Sequence, residues 1–82
     1  MRKSVHSEGQ KVFSAVLREA REAADLRQQE LADRLKKHQS FVAKIEKGER
    51  RVDVVEFIWI ARAIGADPVR LLKSLIRRGV GA

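Results

Sequence analysis

Hydrophobic residues recur at spacings of three or four along most of the chain, and this spacing gives a helix one buried face. The first such stretch starts after Ser7 and ends near Asp25, and Ser7 has capping-box spacing to Gln10. The pattern therefore predicts a first amphipathic helix here. Its apolar positions are Phe13, Val16, Leu17, Ala20 and Ala24.

Two shorter amphipathic stretches lie at the centre of the chain, separated by Lys36-Lys37-His38, which contains no apolar residue. This pattern predicts a second helix from about Gln28 to Lys36 and a third from about Gln39 to Lys47, joined by a tight turn. Gly48 is expected to end the third helix. Because helices this short do not persist alone in water, the flanking segments are expected to form their scaffold.

Two further helices are predicted after a cationic loop at residues 49–52. Asp53 and Glu56 have capping-box spacing at the start of the fourth helix, which Gly65 ends. Asp67 followed by Pro68 marks the start of the fifth helix. No segment shows the strict alternation of a strand, so the sequence predicts a compact all-α domain of five helices.

The predicted organisation is a single folded domain with short flanking segments. Residues 1–6 are expected to form a flexible basic N-terminal arm, residues 7–78 the domain, and residues 79–82 a frayed C-terminus. A chain of 82 residues buries a limited core, so its stability is expected to be marginal without a partner subunit.

The charge of the chain points to a polyanionic partner. The formal net charge is +7 and the isoelectric point is near 10.6, which favours nucleic acid. The absence of cysteine excludes disulfides and thiolate chemistry and fits a reducing compartment. The N-terminal residues lack the apolar core of a signal peptide, and no apolar run approaches the roughly 20 residues of a membrane span. These observations predict a cytoplasmic protein that does not enter a membrane.

No group of residues indicates catalysis or metal binding. His6 and His38 have no supporting ligands nearby in the sequence. The serines lack a base and an orienting acid, and helix capping accounts for Asp53, Glu56 and Asp67. We therefore expect no enzymatic activity, no cofactor and no metal site.

The central stretch resembles the lambda-repressor-like helix-turn-helix family, which includes phage repressors, Cro and the xenobiotic-response-element (XRE) type of bacterial regulators. The resemblance is carried by Gln28, Leu31 and Ala32, and by the sequence QSFVAKIEKGER at residues 39–50. It extends over about residues 10–76. It implies that the partner is double-stranded DNA and that the third helix enters the major groove.

The resemblance also assigns individual roles. Base reading falls to three residues of the third helix: Gln39, Ser40 and Lys44. Glutamine pairs well with adenine and lysine with guanine. Phosphate contact falls to four residues: Gln28, Lys47, Arg50 and Arg51. Gln28 is further expected to brace Gln39. The resemblance implies a partly buried ion pair between Arg21 and Glu46, with a structural role.

Four positions depart from the family pattern. Arg27 and His38 stand where serine or threonine usually caps the second and third helices, and each lost cap is expected to cost about 1 kcal/mol. Lys36-Lys37 replaces the usual Gly-Val of the turn, and a lysine in a left-handed conformation costs about another 1 kcal/mol. Either these cations trade stability of the turn for attraction to DNA, or the turn tolerates long side chains whose stems cover the core.

A dimer interface is predicted from three apolar residues of the last two helices: Trp59, Leu75 and Ile76. The alternative for Trp59 is packing against the fifth helix within one protomer. The sequence thus favours a homodimeric transcriptional regulator, a repressor, on a pseudo-palindromic operator. The alternatives are an antitoxin-like module that also binds a partner enzyme such as a toxin, and a non-specific nucleoid or RNA binder.

Overall fold

The computed structural model describes residues 7–82, and the chain over that range forms five α-helices and no strand. They are α1 (Glu8–Ala23), α2 (Gln28–Leu35), α3 (Gln39–Glu46), α4 (Val54–Ile64) and α5 (Pro68–Arg77). The predicted five-helix, all-α fold is confirmed. The predicted N-terminal arm lies outside the described residues.

The helix starts follow the predicted capping residues. Ser7 Oγ accepts a hydrogen bond from the Gln10 backbone N–H at 3.2 Å. At α4, Asp53 and Glu56 form the reciprocal capping box, with side-chain contacts of 2.8 and 3.2 Å to each other's backbone N–H groups. Each contact satisfies an N–H that has no partner inside its helix.

The caps of α2 and α3 correct the expectation that both are lost. The ring Nδ1 of His38 accepts a hydrogen bond from the Ser40 backbone N–H at 3.1 Å, so histidine caps α3 in place of serine or threonine. At α2, the Arg27 side chain cannot accept a hydrogen bond, but the Glu30 carboxylate accepts one from the Arg27 backbone N–H at 2.8 Å. One half of a capping box therefore remains.

The turn between α2 and α3 keeps the left-handed residue that glycine usually supplies. Lys36 adopts φ 55° and ψ 43°, and the Lys37 backbone N–H donates to the carbonyl of Ala32 at 2.9 Å. This hydrogen bond closes the C-terminal end of α2 in the manner of a Schellman motif. The lysine is therefore held in a conformation that strains an L-residue.

Replacing Lys36 with glycine is expected to stabilise the domain by up to about 1 kcal/mol, because glycine adopts the left-handed conformation without strain. Lys37→Gly is the matched control, since Lys37 does not have a positive φ; its replacement relieves no backbone strain, adds chain entropy to the unfolded state and removes the contact with Phe41, so it is expected to lower stability. Urea denaturation followed by Trp59 fluorescence measures both. Unchanged DNA affinity and salt dependence in the more stable Lys36→Gly protein would reject the proposed trade of stability for charge.

The core lies where α2 and α3 pack against α1 and α4. Ala32 and Ala61 are completely buried, and a small residue is needed where α2 comes close to its neighbours. The buried Ser14 hydroxyl donates to the carbonyl of Ile45 at 2.7 Å, which ties α1 to the end of α3. The other members of the core are Leu17, Leu31, Leu35, Val42, Ile45, Phe57, Ile60 and Ile64. None of the helices between residues 7 and 82 has the length and apolarity needed to cross a membrane.

The position of Leu75 corrects its assignment to a dimer surface. Its side chain is only 5% exposed and packs inside the protomer, whereas the neighbouring Ile76 is 63% exposed. The two residues are 100° apart around α5, and the packing of the helix turns Leu75 toward the core and Ile76 toward solvent. Ile76 therefore remains available for an interface and Leu75 does not.

Candidate nucleic-acid interface

A buried ion pair fixes α3 against α1. Arg21 Nε and Nη2 lie 2.7 and 3.0 Å from the two carboxylate oxygens of Glu46, and Arg21 Nη1 donates to the Leu26 carbonyl at 2.6 Å. Only 10% and 5% of the two side chains are exposed. The hydrogen bonds to Glu46 raise the pKa of Arg21 further, against the opposing effect of burial. The predicted ion pair is thus present and links α1, the α1–α2 loop and α3.

A chain of hydrogen bonds leads from this ion pair to the start of α3. Gln28 Nε2 donates to Glu46 Oε1 at 2.9 Å, and Gln39 Nε2 donates to Gln28 Oε1 at 2.6 Å. Because a carboxylate can only accept, Gln28 must turn its oxygen toward Gln39. The structure therefore brings Gln28 and Gln39 together as a brace.

This chain determines which atoms Gln39 offers to a ligand. One Nε2 hydrogen is used by Gln28, so the second Nε2 hydrogen and Oε1 are free. One donor and one acceptor side by side match the N7 and N6 edge of adenine. The brace thus presents Gln39 in an orientation that suits a purine edge.

The remaining predicted base-reading residues lie on the outer face of α3. Lys44 is exposed and Ser40 is half-buried, while Val42 and Ile45 on the opposite face are buried in the core. Ser40 Oγ lies 3.0 Å from His38 Nδ1, the same ring atom that caps the helix. Lys44 is one helical turn beyond Ser40, so the two side chains share a face.

Exposed cations surround this face. Among residues 7–82, no carboxylate lies within 4 Å of the charged groups in this set, so their charge is available to a phosphate. The set comprises Lys36, Lys37, Lys44, Lys47 and Arg51. Lys47 and Arg51, two of the predicted phosphate ligands, thus carry exposed charges with no carboxylate partner among these residues.

Arg50 has a different environment from the other predicted phosphate ligands. Its guanidinium forms two hydrogen bonds with the Glu56 carboxylate, at 3.2 and 3.0 Å, and a third with the Arg51 carbonyl at 2.8 Å. The same contacts lower the pKa of Glu56, chiefly through the Arg50 hydrogen bond. Arg50 therefore anchors the loop after α3 to the start of α4, and a phosphate would reach only its remaining donors.

An aromatic contact that sequence reasoning missed lies beside Arg50. The Phe41 and Trp59 rings are 6.2 Å apart and tilted by 56°, and the Arg50 guanidinium carbon lies 4.7 Å from the Phe41 centroid. Trp59 thus packs against Phe41 of α3, a contact that the sequence predictions for Trp59 did not include. The sequence signal for this contact is Phe41, a large aromatic residue that lies outside the buried stripe of α3.

Large apolar side chains remain exposed along α4 and α5. We call this surface the α4–α5 apolar face; its members are Val54, Val55, Ile58, Trp59, Val69, Leu72 and Ile76. Val54, Ile58, Val69 and Leu72 line one apolar groove between the two helices. Contiguous exposed apolar surface of this kind marks an interaction site.

The family model described as a helix-turn-helix domain matches residues 12–73. Among solved structures, an XRE-family-like protein from Pseudomonas syringae pv. tomato strain DC3000 is 48% identical over 84% of each chain, with a TM-score of 0.78. The restriction–modification controller protein C.AhdI from Aeromonas hydrophila is 34% identical, covers 74% of this chain and 92% of its own, and has a TM-score of 0.68.

A point mutant of the restriction–modification controller protein C.Esp1396I shares the fold at 21% identity, with a TM-score of 0.79 over 88% of this chain and 91% of its own. No curated protein sequence matches the chain. The family model covers most of the five-helix domain, and the 48% identity extends over 84% of the chain. The chain therefore belongs to the XRE-type helix-turn-helix family, as its central sequence predicts, and is a DNA-binding regulator of that type.

Proposed function

We propose that this protein is a transcriptional repressor that binds a pseudo-palindromic operator as a homodimer and reads the major groove with α3. The observation that carries the proposal is the outer face of α3, where Gln39, Ser40 and Lys44 lie inside a rim of unpaired cations. The cations supply attraction to phosphates that does not depend on sequence, and the three side chains supply discrimination between bases.

The buried network supports sequence-specific rather than general binding. Gln39 is held through Gln28 and Glu46 to Arg21, so its free donor and acceptor are oriented before DNA arrives. A side chain that is already ordered loses less entropy on binding. A protein that bound any duplex by charge alone would not need such a brace on a half-buried amide.

The proposed dimer uses the α4–α5 apolar face, with a second copy of the chain as its occupant. This face carries seven large apolar side chains, which a second copy related by a two-fold axis would bury. Two half-sites centred about 34 Å apart then multiply the discrimination of one helix. The two controller proteins among the similar structures favour such a regulator over an antitoxin-like module.

Selection of bound sequences from a random DNA library tests the proposal directly. We expect an enriched pseudo-palindrome whose half-sites are separated by about one helical turn, 10–10.5 base pairs. Enrichment of single, unpaired half-sites would contradict the dimer. Recovery of unrelated sequences, with affinity that falls steeply with salt, would identify a non-specific binder instead.

The Ile76→Glu variant is expected to be a monomer in sedimentation experiments at concentrations at which the wild type is a dimer. Ile76 is 63% exposed, so a charge there leaves the folded protomer intact but would be buried in the dimer without a partner. Ala23→Glu introduces the same charge at an exposed position of α1 and is expected to remain dimeric. A monomeric wild type at tens of micromolar would refute the interface.

A further inference from the structure

Phe41 lies at the edge of the outer face of α3, where it packs partly against the core, and it carries no hydrogen-bonding group. It follows Ser40 directly and precedes Lys44 by three residues, so it flanks both on the helix surface. Its ring is half-buried, whereas Val42 and Ile45 fill the core behind it.

Three neighbours hold the Phe41 ring in place. Trp59 packs against it from α4, Arg50 lies 4.7 Å from its centroid, and the Lys37 ammonium lies 5.3 Å from the same point. Arg50 is itself fixed by Glu56. The ring is therefore ordered before any ligand binds, and the unpaired Lys37 beside it attracts DNA phosphates.

We infer that Phe41 reads the C5-methyl group of a thymine within each operator half-site, an inference that rests on the proposed function of α3. Base pairs display donors and acceptors in the major groove, together with one apolar group, the thymine methyl. A ring without donor or acceptor can distinguish bases only through that group. Phe41 thus adds an apolar contact beside the polar readout by Gln39, Ser40 and Lys44.

Uracil substitution isolates this contact, because uracil differs from thymine only by the missing methyl group. The operator is taken from the library selection, and each thymine of both half-sites is replaced in turn. At one position, wild-type affinity is expected to fall by about three- to fivefold per half-site, the value of one buried methyl group. The Phe41→Ala protein is expected to bind the thymine and uracil duplexes equally.

Phe13→Ala is the matched control. Phe13 is also half-buried in an aromatic pair, with its ring 5.8 Å from that of Phe57, but it lies on α1. This variant is expected to keep the wild-type sensitivity to uracil at every thymine. It therefore separates the loss of a DNA contact from the loss of an aromatic residue that supports the fold.

Two results would overturn the inference alone. The first is a wild type that binds a selected operator equally well with uracil at every thymine, and this measurement needs no folded variant. The second is a Phe41→Ala protein that retains the uracil effect, since the methyl group would then contact another residue. If the library yields no consensus sequence, the proposed function and this inference both fail.

Discussion

Replacing Glu46 with alanine is expected to reduce the free energy of unfolding by about 3–5 kcal/mol, because the Arg21 guanidinium would remain buried without its carboxylate partner. Gln28 would lose its acceptor as well. A domain of this length has a total stability of only about 4–12 kcal/mol, so the variant should be partly unfolded at physiological temperature. Urea denaturation monitored by circular dichroism measures the loss.

The natural control is Glu22, the second carboxylate near Arg21. Its oxygen lies 3.8 Å from Arg21 Nη2, and 58% of its side chain is exposed. Glu22→Ala is expected to cost less than about 1 kcal/mol, because solvent screens exposed ion pairs. An equal loss of unfolding free energy in the two variants would mean that burial does not determine how strongly the Glu46 contact stabilises the fold.

A double variant tests the physical reason behind this prediction. Replacing Arg21 with methionine and Glu46 with leucine removes both charges together and keeps apolar volume. The double variant is expected to be more stable than Glu46→Ala, because no charge is then buried without a partner. If the double variant is less stable than Glu46→Ala, a buried charge without a partner is not the main cause of the loss in Glu46→Ala.

Replacing Lys44 with alanine is expected to weaken binding to the selected operator by about 1–3 kcal/mol, equivalent to roughly 5- to 150-fold, with little effect on random DNA. Lys44 is exposed on the face that also carries Gln39 and Ser40, so its ammonium is placed for a base edge. Competition binding of operator and random duplexes at one fixed salt concentration gives both affinities.

Lys47→Ala provides the matched comparison, since the same residue type is removed one position after the last residue of α3. A phosphate contact there should weaken binding to both duplexes alike and reduce the salt slope by about one. Equal losses on operator and random DNA in the Lys44→Ala protein would remove Lys44 from base reading. Selective loss in the Lys47→Ala protein would reverse the two assignments.

Two kinds of contact in the site could be predicted from the sequence. One kind joins residues that are close in the chain, and the other joins residues that match the motif of the family. Asp53 and Glu56 cap α4 as their spacing indicates, and the Gln28–Gln39 brace follows from the family resemblance. The cap supplied by His38 was missed because histidine is rarely counted among capping residues. Only its ring orientation in three dimensions shows that Nδ1 reaches the Ser40 N–H.

The unpredicted part depends on contacts between distant elements. Sequence spacing placed Leu75 and Ile76 together on an apolar face, but the packing of α5 against the rest of the domain buries one and exposes the other. In the same way, Arg50 has the composition of a phosphate ligand, yet Glu56 and Phe41 hold it within the protomer. A charge in the sequence does not reveal whether a partner is already beside it.

The sequence by itself determined the five helices, the caps of α1 and α4, the excess of positive charge and the family, because these depend on periodicity, local hydrogen bonding and composition. The tertiary structure decided which side chains are free to act. It oriented Gln39 through a buried ion pair, occupied Arg50, joined Phe41 to Trp59 and selected Ile76 over Leu75. The physical reason is that burial and partnership arise between residues far apart in the chain, where no local pattern records them.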